Sequence, residues 1–147
     1  MSEGIKGLNV HLAVSDCAKF IDFCKQAFGA EEKARMLEPK GRIMHAELVI
    51  GGTRVLLCDE FPEMGGKSAK TLGGNPATLN LTVDDADAVS AAAVKAGATV
   101  TMPVADQFWG DRYGQVVDPF GNSWAFAQPK EQLTMDQIAQ RMAKAAS

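Results

Sequence analysis

The sequence predicts an α+β fold in which a βαβββ module occurs twice in tandem. The first observation is an internal repeat at an offset of 69 residues, which aligns segment 8–20 with segment 77–89. The same offset aligns segment 52–57 with segment 121–126, so it holds at both ends of each half. The second observation is that each half shows an alternating strand, a capped helix and three further strands, in that order.

The elements of the first half follow from local patterns. Residues 8–14 alternate along the chain as in a strand with one buried face, and Asp16 is the expected N-cap of a helix that stops at Gly29. The apolar positions with helical spacing are Phe20, Ile21, Cys24, Ala27 and Phe28. Three strands are then predicted over about 31–37, 42–50 and 53–60, with a "GG" hairpin turn at 51–52.

The second half repeats this order. Residues 78–83 form the alternating strand, Asp85 caps a helix from Ala86 to Lys95, and Gly97 stops it. A "PFG" turn at 119–121 joins the last two strands. The three strands of this half are predicted over about 98–104, 111–118 and 122–128.

The 147 residues are expected to form a single domain, 1–147. Its parts are module one at about 7–60, a linker at about 61–76, module two at about 77–128 and a C-terminal helix at about 134–145. The linker is polar with four glycines, and a mobile flap over a ligand site is the alternative to a plain connection. Thr134 and Gln137 form a capping-box pattern, and the helix that follows is expected to dock on the body or on a second subunit.

The composition of the chain limits the classes of function that it can have. Apolar residues make up 46% of the chain, charged residues 22%, and the net charge is −3, as in a soluble globular protein. No cluster of Lys and Arg is present, which argues against a nucleic-acid or anionic-membrane partner. Cys17, Cys24 and Cys58 are odd in number and lack Cys-x-x-Cys spacing, so reduced, buried cysteines are expected. Without a long apolar run, the predicted location is cytoplasmic.

Two segments carry a family resemblance: "VSDCAKFIDFCKQAFGA" at 14–30 and "DPFGNSWAF" at 118–126. Together with the paired modules, they resemble the vicinal oxygen chelate superfamily. That superfamily includes glyoxalase I, bleomycin-resistance proteins, fosfomycin-resistance enzymes and extradiol dioxygenases. Segments 41–52 and 105–114 are similar more specifically to its PhnB-like, glyoxalase-like branch. The resemblance implies curved mixed sheets that line a cleft, and a homodimer.

The resemblance also implies where a metal ion would be bound. In metal-binding members, the ligands come from the first and last strand of each module. The positions that match here are Asn9, Leu56, Thr78 and Ala125, and no carboxylate lies between Gly121 and Phe126. Leu, Ala and Thr are not usual ligands of divalent ions, and Asn is a poor one. The expectation is therefore that this chain has no metal site of the family type.

A different ligand set is the alternative. His45 and Glu47 share one face of a predicted strand, and with His11 they would suit a divalent metal such as Zn, Ni or Mn. The competing interpretation of His11 is a hydrogen-bonded wall residue. For His45 and Glu47 it is a polar face or a dimer contact.

The stretch "QFWGDRYG" at 107–114 is the densest candidate for ligand binding. Phe108, Trp109 and Tyr113 place aromatic rings close together in a segment that joins two strands, where Trp109 can stack on a flat ligand. Arg112, next to Asp111, can pair with a carboxylate or phosphate. Some drug-binding members of the superfamily carry a similar Trp-Gly-x-Arg-Tyr stretch with the Trp against the antibiotic. The alternative is a turn in which Trp109 plugs the sheet edge and Asp111 pairs with Arg112.

The last strand supplies further candidates. Ala125 alternates with Trp124 and Phe126, so if Ala125 faces the cleft, both aromatic residues belong to the core. Small side chains at cleft positions would leave room for a bulky ligand. The predicted ligand-binding set is His11, Asn80, Phe108, Trp109, Asp111, Arg112, Tyr113 and Ala125.

Three functions are compatible with the sequence. The favoured one is a metal-free small-molecule binding protein that sequesters an aromatic or amphipathic ligand in a concave cleft. The second is a glyoxalase-like lyase or isomerase with an unorthodox metal site or none, in which His11 or Glu47 would act as general base. The third is a dimeric assembly module without a ligand of its own. No nucleophile–base pair stands out, so no catalytic residue is assigned.

Overall fold

The computed structural model describes residues 3–146, which contain eight strands and four α-helices. The first half consists of β1 (Val10–Val14), α1 (Cys17–Phe28), β2 (Glu31–Leu37), β3 (Ile43–Ile50) and β4 (Thr53–Asp59). A 3-10 turn (Pro62–Met64) and α2 (Ala69–Leu72) follow. The second half consists of β5 (Thr78–Thr82), α3 (Ala86–Lys95), β6 (Thr99–Asp106), β7 (Asp111–Val117) and β8 (Ser123–Pro129), and α4 (Met135–Ala145) comes last.

The strands form two four-stranded mixed sheets with the same topology. Their strand orders are β1-β4-β3-β2 and β5-β8-β7-β6. In each sheet the first and last strands of the module pair in parallel, and the remaining pairs are antiparallel. The predicted α+β fold of two βαβββ modules in tandem is therefore confirmed, although the first strand begins at Val10 rather than at residue 8.

The repeat extends to individual hydrogen bonds. Asp59 Oδ1 accepts the backbone N–H of Cys17 at 2.7 Å, which joins the end of β4 to the start of α1. At the positions 69 residues later, Gln128 Oε1 accepts the N–H of Ala86 at 3.0 Å. The side chains differ in charge, but both satisfy an otherwise unpaired N–H of a helix's first turn. The contact belongs to the module architecture and does not depend on one residue type.

The predicted helix ends are close to the observed ones. Asp16 accepts the N–H of Lys19, and Asp85 accepts that of Ala88, so both are N-caps. Gly29 ends α1 in the left-handed conformation that glycine adopts easily, with φ of 64°. The C-cap of α3 is Ala96, one residue before the predicted stop.

The core joins the two modules. On one side α1 packs on the first sheet, and on the other its Phe20 and Phe28 rings approach Trp124, with centroid distances of 6.4 and 4.5 Å. Trp124 is 1% exposed, and Phe126 is completely buried in the same cluster. The prediction that these two residues of β8 belong to the core is confirmed.

Asp118 explains the turn in "DPFGNSWAF". Its Oδ1 accepts the N–H groups of Phe120 at 2.8 Å and Asn122 at 2.9 Å, while Oδ2 accepts the indole N–H of Trp124 at 2.8 Å. Burial raises the pKa of Asp118, although these hydrogen bonds oppose that effect. One buried carboxyl group thus fixes both the β7–β8 turn and the rotamer of the core tryptophan.

The segment that was predicted to be a linker is folded against the modules. Glu60 Oε1 accepts the N–H of Ser68 at 2.6 Å, and the side chains of Ser68 and Ala69 are buried. A Cβ placed on Gly121 would lie 3.3 Å from the backbone N of Lys70, so this segment packs closely on the β7–β8 turn. This close packing is typical of a fixed segment and not of a mobile flap.

The C-terminal helix begins with the predicted capping box. Thr134 Oγ1 accepts the N–H of Gln137 at 3.2 Å, and Gln137 Oε1 accepts the N–H of Thr134 at 2.9 Å. None of the residues of α4 is buried. Within residues 3–146, no helix combines the length and apolar character needed to cross a bilayer.

Candidate functional site

Each sheet packs one face on the helices and turns its other face outward. On the second sheet, the register places Asn80, Ala125 and Gln115 side by side in one row across β5, β8 and β7. Residues opposite one another on paired strands point to the same face. These rows define the module-two face, which consists of Thr78, Asn80, Thr82, Tyr113, Gln115, Ala125 and Ala127.

An aromatic corner formed by Phe108, Trp109 and Tyr113 borders the module-two face. The Trp109 ring is nearly perpendicular to both neighbours, with centroids 5.1 Å from Phe108 and 5.3 Å from Tyr113. All three side chains are half-buried. Edge-to-face contacts of this kind stabilise the rings while leaving part of each ring surface accessible. The structure therefore brings together the three aromatic residues that the sequence singled out.

The polar edges of this corner are held by neighbouring side chains. Trp109 Nε1 donates a hydrogen bond of 3.1 Å to Asp111 Oδ2, and Gln115 Nε2 donates one of 2.8 Å to the Tyr113 hydroxyl oxygen. Asp111 thus orients the indole. Gln115 was not predicted from the sequence, although it lies two residues after Tyr113 on one strand and therefore shares its face.

The Trp109 turn is also fixed by its backbone. Gly110 O accepts the N–H groups of Lys130 at 3.1 Å and Glu131 at 2.9 Å. Gly110 has φ of 104°, and a Cβ at this position would lie 2.6 Å from Glu131 O. Only glycine permits this approach, so the segment after β8 holds the turn in place.

Arg112 does not belong to the module-two face. Its guanidinium group donates to Asp87 at 2.6 and 3.0 Å and to Asp106 at 3.2 Å, on the helix side of the sheet. This contact lowers the pKa of Asp87. The alternative pairing with Asp111 is not observed either, because Asp111 is bonded to Trp109. Strand alternation places Arg112 and Tyr113 on opposite faces of β7. The ion pair of Arg112 with Asp87 joins β7 to α3.

The side chains of the alternative metal-ligand set, His11, His45 and Glu47, are not brought together. On the outer face of the first sheet, His11, Leu56 and Glu47 form one row, but both carboxylate oxygens of Glu47 are bonded to Arg54 at 2.8 and 2.9 Å. The hydrogen bonds from Arg54 lower the pKa of Glu47. In residues 3–146, no three His, Cys, Asp or Glu side chains are grouped as a metal site would require. The side chains of His11, His45 and Glu47 are thus not grouped as a metal site in this part of the chain.

The positions of the family-type metal ligands do not fit a divalent ion either. Leu56 lies between His11 and Glu47 in the row, and its apolar side chain occupies the place of a ligand. Ala125 has Asn80 and Gln115 as its strand neighbours, which offer neutral amides. Divalent ions in proteins are held by carboxylate, imidazole or thiolate groups in larger number than these rows supply.

A separate apolar hollow lies on the first module. This module-one pocket has a volume of about 200 Å³, and its lining includes His11, Met44, Cys58, Phe61 and Met64. Phe61 and Met64 come from the segment that was predicted to be a linker. Burial raises the pKa of Cys58, which favours the neutral thiol. This pocket could not be predicted from the sequence, because only folding brings the connecting segment next to β1 and β4.

His11 and Trp109 do not share a site within one chain. His11 lies on β1 of the first sheet, whereas Trp109 lies in the turn that precedes β7 of the second sheet. The predicted ligand-binding set is therefore split. Asn80, Phe108, Trp109, Asp111, Tyr113 and Ala125 lie on or beside the module-two face, whereas His11 lies in the module-one pocket.

A model of the Glyoxalase/Bleomycin resistance protein/Dioxygenase superfamily matches residues 8–126. The chain belongs to this superfamily. The resemblance noted in the sequence is thus confirmed, and the match includes both helices of the repeat and the first half of β8, up to Phe126.

Several known proteins are similar to this superfamily member in sequence or in fold. An uncharacterized protein of Mycobacterium tuberculosis is 49% identical over 138 residues, which cover 92% of this chain and 81% of that protein. TnmS3, an antibiotic binding protein from Streptomyces sp. CB03234, has a TM-score of 0.62 at 26% identity, covering 88% of this chain and all of that one. The PhnB protein of Bacillus cereus shares the fold, with a TM-score of 0.63, 14% identity and coverage of 84% and 99%.

Proposed function

We propose that this superfamily member binds an aromatic or amphipathic small molecule on the module-two face and sequesters it without a metal ion and without turnover. The observation that carries the proposal is the aromatic corner, in which Trp109 is held edge-on to Tyr113 and the small side chain of Ala127 lies opposite Tyr113 on β8. A flat ring system stacked there would gain contact with two preordered aromatic side chains.

The chemistry of the module-two face favours an uncharged ligand. Its polar groups are the amides of Asn80 and Gln115 and the hydroxyls of Thr78, Thr82 and Tyr113. None of its members is charged, and Arg112, the nearest guanidinium in sequence, is bonded to two aspartates on the other side. Neutral donors and acceptors around an apolar centre are typical of sites that recognise neutral ligands.

The candidate catalytic carboxylates are already hydrogen-bonded to other side chains, which disfavours catalysis. The nearest carboxylate, Asp111, accepts the indole N–H of Trp109 and so has an orienting task. Glu47, a candidate general base, is paired with Arg54. TnmS3, an antibiotic binding protein, is 26% identical to this chain, which supports a ligand-binding function here. Binding without turnover is the function that these side chains can perform.

The broader organisation belongs to the same proposal. A single domain at 1–147, with modules at about 7–60 and 77–128, is supported by the shared core of α1 and α3. A cytoplasmic location is supported by Cys17, Cys24 and Cys58, all of which are free thiols. A net charge of −3 supports a partner other than nucleic acid or an anionic membrane.

The test is a titration with 1,8-dihydroxyanthraquinone, a flat and uncharged aromatic probe, with tryptophan fluorescence as the signal. We expect saturable quenching, and cyclohexanol at the same concentrations should leave the signal unchanged. Mass spectrometry should recover the probe unaltered after long incubation. Absence of saturable quenching would contradict ligand binding. A stoichiometric metal ion in protein purified without chelator, or an altered probe, would contradict metal-free sequestration.

A further inference from the structure

The module-one pocket contains two chemically reactive side chains that the proposed function leaves unused. Cys58 of β4 lies opposite Ala13 of β1, and His11 is two residues before Ala13 on the same strand. Because residues two apart on a strand share a face, His11 and Cys58 are diagonal neighbours, with Cα atoms about 8 Å apart. Both line the module-one pocket. A thiol and an imidazole group therefore face one cavity.

Neither of these two side chains is held by a hydrogen bond within residues 3–146, and both are at least partly exposed. Asp59, another ionisable residue of the lining, differs in this respect. Its Oδ1 accepts the N–H of Cys17 and its Oδ2 accepts the N–H of Ile43, each at 2.7 Å. The carboxylate of Asp59 is thus occupied by the backbone, whereas the His11 ring is free to accept a proton.

The wall of the module-one pocket is fixed in place by charged side chains. The guanidinium carbon of Arg42 lies 4.0 Å from the centroid of the Phe61 ring, and Arg42 Nη1 pairs with Glu63 at 2.9 Å. Phe61 is only 8% exposed, although it belongs to the segment between the modules. Met44 and Met64 add adaptable apolar surface to the lining. The cavity is therefore formed before a ligand arrives, and it favours a compact apolar molecule.

The surroundings of Cys58 keep its thiol in the neutral form. Burial raises the pKa of this thiol, and the negative charge of Asp59 acts in the same direction. A neutral thiol reacts slowly with polar reagents in bulk water, because the thiolate is the nucleophile. Once a base removes its proton, however, a thiol of high pKa gives the stronger nucleophile. Reaction at Cys58 therefore requires both a neighbouring base and an electrophile that binds in the pocket.

We propose that the module-one pocket captures compact, apolar α,β-unsaturated carbonyl compounds through a covalent bond to Cys58. His11 accepts the thiol proton, and the sulfur attacks the β-carbon of the bound compound. The S–C bond forms as the carbon–carbon π bond breaks, and the α-carbon of the resulting enolate takes the proton from His11. The product is a thioether, and the addition consumes no oxidant or reductant. This site lies on a different module from the aromatic corner and does not depend on ligand binding there.

Two maleimides that differ in one substituent test this proposal, with intact-protein mass spectrometry and peptide mapping as the measurements. N-phenylmaleimide carries an apolar ring, whereas N-(2-hydroxyethyl)maleimide carries the same reactive group with a polar substituent. Glutathione supplies the intrinsic ratio of their rates. We expect an adduct on Cys58 and a rate that saturates with N-phenylmaleimide. The phenyl-to-hydroxyethyl rate ratio should exceed that of glutathione at least about tenfold, because the pocket binds the ring.

The two histidines of the chain provide a matched pair of variants, because the described lining of the pocket contains His11 and not His45. Both positions are at least partly exposed, so both variants should fold. His11→Gln should slow the addition at least about tenfold, and His45→Gln should leave its rate unchanged. Cys58→Ser should form no adduct in the folded state. A rate ratio equal to that of glutathione, an adduct mainly on Cys17 or Cys24, or an unchanged rate in His11→Gln would overturn the proposal.

Discussion

Trp109 lies edge-on to Tyr113, with ring centroids 5.3 Å apart and an angle of 74° between the ring planes. Asp111 holds the indole N–H of the first residue, and Gln115 holds the hydroxyl oxygen of the second. The aromatic corner is therefore ordered before a ligand arrives, and ligand binding should cost little side-chain entropy there. Substitutions at these positions distinguish the contribution of the ring surfaces to ligand binding from that of the polar atoms that orient the rings.

At Tyr113, the ring should matter more than the hydroxyl. Tyr113→Phe keeps the ring and removes the acceptor of one partly exposed hydrogen bond, so affinity for the anthraquinone probe should fall by at most about threefold. Tyr113→Ala removes the ring contact with Trp109 and the ligand, so affinity should fall at least about tenfold. Fluorescence titration of both variants measures this difference. Equal losses in both would show that the hydroxyl, and not the ring, makes the contact.

Arg112 should contribute to stability and not to ligand affinity. Its contact with Asp87 lowers the pKa of that carboxyl group, so the contribution is present at neutral pH and is lost as the pH falls through the lowered pKa. Arg112→Met should therefore unfold at lower denaturant concentration than the parent at pH 7, and the two should converge in strong acid. Probe affinity should stay unchanged. A clear loss of affinity in this variant would restore Arg112 as a ligand contact.

The cysteines should differ in reactivity. Burial raises the pKa of Cys17 to about 12 and also raises that of Cys24, so neither thiol ionises appreciably in the folded protein at pH 8. The folded protein should therefore expose at most Cys58 to Ellman's reagent, and all three thiols should react in denaturant. Rapid reaction of two or three thiols in the folded state would contradict the packing of α1.

The same thiols predict a loss of stability in alkali. The pKa values of Cys17 and Cys24 in the folded protein lie above 9.0, the ordinary value of a thiol, so their contribution to stability is fully present below pH 9. It should decline as the pH rises above 9 and the unfolded thiols ionise. Cys24→Ala should reduce this alkaline dependence, although the variant also loses some packing. Urea unfolding at pH 8 and at pH 10 measures the effect. An equal loss of unfolding free energy between these pH values in the parent and the variant would argue against it.

The fold could be predicted because its signals are local and repeated. The helix caps at Asp16 and Asp85 follow from residues adjacent in sequence, and the offset of 69 residues then supplies the second module. The position of Trp124 in the core followed from alternation along one strand. Such patterns need no knowledge of which elements pack together.

The site could be predicted only in part, because its composition depends on packing between distant segments. Alternation along β7 would have separated Arg112 from Tyr113, but the ion pair with Asp87 requires knowing that α3 lies on that side. The bond between Glu47 and Arg54 likewise depends on the pairing of β3 with β4. Nothing local in the sequence indicates that His11 lines a pocket together with Phe61 and Met64.

Anthraquinone titration of two tryptophan variants tests whether a flat ligand stacks on Trp109. Trp124 is 1% exposed and bonded to Asp118, so Trp124→Phe should cost roughly 1–3 kcal/mol of stability and leave the ligand site intact. We predict that Trp124→Phe retains saturable quenching with the parent affinity and that Trp109→Ala loses nearly all of it. Quenching that persists in Trp109→Ala, or disappears in folded Trp124→Phe, would contradict stacking of the ligand on Trp109.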